Sequence, residues 1–85
     1  MGNTPLSDED LARWGFCPTG HDDAYVRWLC QWNRRQYIVL RRAVGFSSYG
    51  LKYRGIAVVG IETVEQMDDV LAMLQRWGVL APREL

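Results

Sequence analysis

The chain has 85 residues, with ten Lys and Arg against ten Asp and Glu, 48% hydrophobic and 24% charged. These proportions fit one globular domain over residues 1–85: too apolar to stay disordered, too short for two domains or a large catalytic cleft. The neutral sum hides a polarised order, because residues 1–23 carry a net −4, residues 24–54 a net +7 with no acid, and residues 55–85 a net −3.

Residues 1–6 read as a polar, flexible lead-in. Ser7 then has the features of an N-cap, with Asp8, Glu9 and Asp10 at the positive end of a helix dipole. Asp10 holds the capping-box position, and Leu6 with Leu11 has the spacing of a hydrophobic staple. Gly15 supplies a left-handed stop, so a short helix is expected over 8–14, docked through Leu11 and Trp14. Residues 17–23, Cys-Pro-Thr-Gly-His-Asp-Asp, read as a loop of turn formers.

Residues 24–32 admit two readings. Tyr25, Trp28, Leu29 and Trp32 have helical spacing, yet Tyr-Val-Arg-Trp-Leu-Cys-Gln-Trp is rich in strand formers, and strand is favoured. A strand over 35–41 follows a polar turn, which makes a hairpin. Residues 43–50 read as a connection, and 52–61 as a third strand with a continuous apolar core, Ile56-Ala57-Val58-Val59. Thr63 and Gln66 open a final amphipathic helix with Val64, Met67, Val70, Leu71, Leu74 and Trp77 on its apolar half, ended by Gly78. The expected fold is α+β: a three-stranded antiparallel meander with a short N-terminal and a longer C-terminal helix over one face. The two helices suffice for one side only, and the strands are apolar on both, which predicts self-association, as a homodimer, through the open face.

The residues that frame chemistry are few. His21 is the one histidine and could pair with Cys17 or Cys30, with Asp22 or Asp23 orienting it, but no motif frames them as a nucleophile and base. Cys17, His21 and Cys30 lack the pairwise spacing of a zinc site, and no phosphate-binding glycine loop occurs. No enzyme activity, metal or cofactor is expected. There is no secretory signal, and no uncharged run approaches the length of a bilayer span, so a cytoplasmic protein with reduced thiols is expected.

Leu11 with Gly15-Phe16 after a short helix, a hairpin, and Ile61-Glu62-Thr63-Val64-Glu65-Gln66 at the last helix together resemble small bacterial and phage accessory proteins of unknown function, of mobile-element or gene-cassette type. That resemblance implies an α-β-β-β-α layout and assigns no functional residues.

Binding is the expected activity. A protein partner or a second copy would use Trp28, Trp32, Tyr37 and Tyr25, the large side chains that interfaces favour, on an exposed apolar face. A nucleic acid would use Arg34, Arg35, Arg41, Arg42, Lys52 and Arg54, converging away from the acidic helices, with Tyr49 and Tyr53 to stack on bases. A small ligand would sit in an aromatic pocket between sheet and helix.

Overall fold

The computed structural model describes residues 4–83. The elements in chain order are α1 (Asp8–Arg13), β1 (Phe16–His21), β2 (Tyr25–Gln31), β3 (Tyr37–Ala43), β4 (Tyr49–Tyr53), β5 (Ile56–Ile61) and α2 (Val64–Arg76). The α+β class is as expected, but the sheet has five antiparallel strands in the order β1-β2-β3-β4-β5 where three were expected.

Two misread segments account for the difference. Of the expected loop 17–23 only Asp22 and Asp23 lie in a turn, since Phe16–His21 pairs with β2 as an edge strand. Pro18 is tolerated there because an edge strand has one side free of ladder bonds. Residues 52–61 are not one strand but a hairpin, turned at Arg54-Gly55 with φ of 47° and 82°. Both central residues have the positive φ of the tight turn that matches strand twist. The expected connection 43–50 likewise ends early, because Tyr49 and Gly50 belong to β4.

Register sets the faces. Trp28 pairs with Leu40, and Leu40 with Leu51, which pairs with Val58. This row, buried except for the partly buried Val58, packs with Phe16, Cys30, Ile38, Tyr49, Tyr53 and Ile61 against Leu11 of α1 and Met67, Leu71 and Leu74 of α2. The alternate row, Cys17–Leu29–Val39–Lys52–Ala57, runs across all five strands on the opposite face. Both edge strands are irregular: β1 has an extra residue, Thr19, between its Pro18 and Gly20 pairings. On β5, Val59 and Gly60 together oppose Gly50, with Gly60 at φ 77°.

Both capping boxes form as expected, Ser7 with Asp10 and Thr63 with Gln66. Residues 4–6 are no flexible lead-in. The Leu6 amide donates to the Glu62 carbonyl at 3.0 Å and the Val64 amide to the Thr4 carbonyl at 2.9 Å, so this segment clips the start of α2. Residues 1–3 of the expected lead-in lie outside the described residues. Trp77 was expected on the apolar half of α2, but it caps the helix and is 61% exposed.

Candidate nucleic-acid interface

The uncovered face follows from strand alternation. It presents Tyr25, Arg27, Leu29 and Gln31 from β2, Tyr37, Val39 and Arg41 from β3, Lys52 from β4, and Ala57 and Val59 from β5. Tyr37 is 49% exposed, Val39 38% and Val59 81%. The Arg41 guanidinium lies 4.9 Å from the Tyr25 ring centre, a cation–π contact between β3 and β2. Beside them Ser48, Gly50 and Val59 complete a shallow depression of about 180 Å³.

Arg27 and Arg41 are direct cross-strand neighbours, an unfavourable like-charge pair by itself. Asp22 offsets it, with one carboxylate oxygen 2.9 Å from the Arg27 guanidinium. Its other oxygen accepts the Ala24 and Tyr25 amides, each at 2.8 Å. These two backbone donors, then Arg27, hold the Asp22 carboxyl down at about 2. Arg41 and Lys52 have no carboxylate partner among the described residues.

The remaining candidate cations divide by position. Arg34 and Arg35 stand in the β2–β3 turn and Arg54 in the β4–β5 turn, and all three line one cleft at the same end of the sheet. The turn beneath them is fixed by Asn33 and Gln36. Asn33 Oδ1 accepts the Arg35 amide at 2.9 Å and the Gln36 amide at 3.0 Å. Gln36 Oε1 accepts from Asn33 Nδ2 at 2.7 Å and from the Ala81 amide at 2.9 Å. Gln36 Nε2 donates to the Val79 carbonyl and the Tyr53 hydroxyl.

Arg42 departs from the expected set. It faces the helices, donating to the Tyr49 hydroxyl at 2.8 Å with Asp8 at 3.7 Å, and packs over the rings of Trp28 and Tyr49. Tyr49 and Tyr53 are buried on the covered face and cannot stack on a base. Burial also pushes the Tyr49 phenol up.

Trp28 and Trp32 are buried and present nothing to a partner. Trp32 donates its indole N–H to the Ala81 carbonyl at 2.8 Å and lies under the Arg83 guanidinium, 4.9 Å from its centre. The expected aromatic ligand pocket is filled by the core, where the Trp28 and Tyr49 rings pack 5.5 Å apart. Only Tyr37 and Tyr25 of the partner candidates lie on the open face.

Cys17 and Cys30 occupy adjacent positions on opposite faces, exposed and buried respectively. Burial raises the Cys30 thiol. Among the described residues no group of three or more His, Cys, Asp and Glu is placed to hold a metal. Comparison with protein-family models, curated proteins and solved structures finds no match. No described helix is long and apolar enough to cross a membrane.

Arg27 escaped the sequence reading because its place beside Arg41 depends on register. Gln36 escaped it because its Val79 and Ala81 partners lie 43 and 45 positions away, in the segment after α2.

Proposed function

We propose that the chain is a non-enzymatic binding module and that the open face of its sheet holds a single-stranded nucleic acid. One observation carries this reading: Arg41 and Lys52, which have no carboxylate partner among the described residues, share the open face with Tyr25 and Tyr37, while Glu65, Asp68 and Asp69 are exposed on α2 behind it. Phosphates then meet cations, bases meet aromatic and aliphatic side chains, and the acidic layer repels a polyanion from the other side.

The test is filter binding to a single-stranded oligonucleotide across a salt series. Engagement of about two to three phosphates predicts a log–log slope of roughly −1.4 to −2. Arg41→Glu with Lys52→Glu should abolish retention. Retention without salt dependence, or an unaffected double variant, would sink the reading.

A second reading is self-association, in an accessory role, through the same face. The aliphatic pair Leu29 and Val39, with the exposed Val59 elsewhere on that face, favours it. Charge disfavours it, because a second copy laid face to face brings Arg41 and Lys52 against equal charges. Light scattering at high micromolar concentration separates the two: a dimer that Val39→Glu disperses supports self-association, and a monomer removes it.

A further inference from the structure

The cleft at the end of the sheet goes beyond the strand-binding reading and stands on its own geometry. It has a volume of about 560 Å³ and is lined by Asn33, Arg34, Arg35, Gln36, Arg54 and the Ala81–Pro82 wall. That volume lies within the usual range for small-molecule sites. Three arginines from two different turns line the cleft, and no described carboxylate does. None of the three arginines forms an ion pair among the described residues.

Two further features suggest a site rather than a chance crowding of charge. The floor is rigid, because Asn33 and Gln36 spend their hydrogen bonds on the turn backbone, on each other and on the Val79–Ala81 segment. Arg54 breaks a local rule. It adopts φ 47° at the turn position where Asn, Asp or Gly is the low-energy choice. A residue held against its backbone preference, with its side chain lining a charged cleft, points to a use for that side chain. Its guanidinium also rests 5.7 Å from the Tyr53 ring centre, which limits its motion.

We propose that this cleft binds a terminal phosphate, a phosphomonoester, through Arg34, Arg35 and Arg54. Planar guanidinium forks match phosphate oxygens bidentately. A phosphomonoester carries close to two charges where a backbone phosphodiester carries one, so a three-arginine site favours the chain end or a free phosphorylated molecule. The Ala81–Pro82 wall would take the apolar side of the attached group.

The test is calorimetric titration with three probes: a 5′-phosphorylated single-stranded oligonucleotide, the same strand with a 5′-hydroxyl, and phenyl phosphate. The variant is Arg54→Asn, which suits the turn and should fold at least as well as the wild type by circular dichroism. The expected result is at least tenfold tighter binding of the phosphorylated strand than of the hydroxyl strand, with Arg54→Asn removing the difference. Phenyl phosphate binding that Arg54→Asn abolishes, without any strand preference, also supports the cleft and identifies a free small phosphate as its ligand. If neither strand binds while phenyl phosphate does, the cleft stands and the strand-binding reading falls. If both strands bind equally and phenyl phosphate does not bind, the cleft proposal is overturned and the strand reading survives. Absence of all binding, or a 5′-phosphate preference or phenyl phosphate binding that Arg54→Asn leaves intact, overturns the cleft proposal.

Discussion

Asp22 performs three tasks with two oxygens: it closes the β1–β2 turn, starts β2 and neutralises Arg27. Its carboxyl sits at about 2 against an ordinary 3.8, so folding favours the ionised form. The resulting stability is present above the ordinary value and is lost as pH falls through the folded one. The urea midpoints of wild type and Asp22→Asn should therefore differ by a constant amount above about pH 5 and converge as the pH approaches 2. A gap that persists at that acidity would mean the carboxylate charge contributes nothing. Residue types by themselves gave little of this. Asp22 looked like turn composition, and its real work lies in backbone contacts that require β2 to be a strand. Trp28 and Trp32 show the opposite failure. Their size suggested an interface, but a small domain has few large side chains and uses them in its core, where Trp32 finds the Ala81 carbonyl for its N–H.

Among the elements, the helices were the most legible because their signals are local. Ser7 with Asp10 and Thr63 with Gln66 each lie within one turn, and each pair satisfies two otherwise unpaired amides. Thr63→Ala should lower stability by about 1 kcal/mol, read from chemical denaturation, because it removes the acceptor for the Gln66 amide at 3.1 Å. A change below about 0.3 kcal/mol would mean that the clip from residues 4–6 alone fixes the start of α2. Strands were less legible. β2 and β3 were visible from their β-branched and aromatic residues, but their relative faces were not. Composition does not set the register, whereas a turn ending at Gln36 pairs Cys30 with Ile38 and Leu29 with Val39. β1 was hidden by Pro18 and Gly20, which are acceptable only because this strand is at an edge. The β4–β5 turn was hidden because Arg54 stands where Asn would have announced it.

At the scale of the whole molecule, the zero net charge resolves into direction. Carboxylates are exposed on α2, cations on the far side of the sheet and at its end, and Arg42 with Asp8 joins the layers at the rim. The candidate surface was half legible. The basic run from 24 to 54 holds the cations of the candidate surface, but alternation sends Arg41 and Lys52 to one face and Arg42 to the other. If the open face binds a strand, Tyr37→Ala should weaken it by roughly 1–3 kcal/mol, the worth of one stacked base, while leaving the salt slope unchanged. Anisotropy titrations measure both, and a changed slope with unchanged affinity at low salt would remove Tyr37 from the surface. The irregular edges bear on what this molecule does at high concentration. A flat outer strand is a template on which further chains can polymerise. Here the extra residues at Thr19 and at Val59–Gly60 interrupt both borders of the sheet. Fibre growth by strand addition is thereby discouraged at either border. The broad, partly apolar open face is thus bordered on both sides by strands poorly shaped for edge-to-edge pairing.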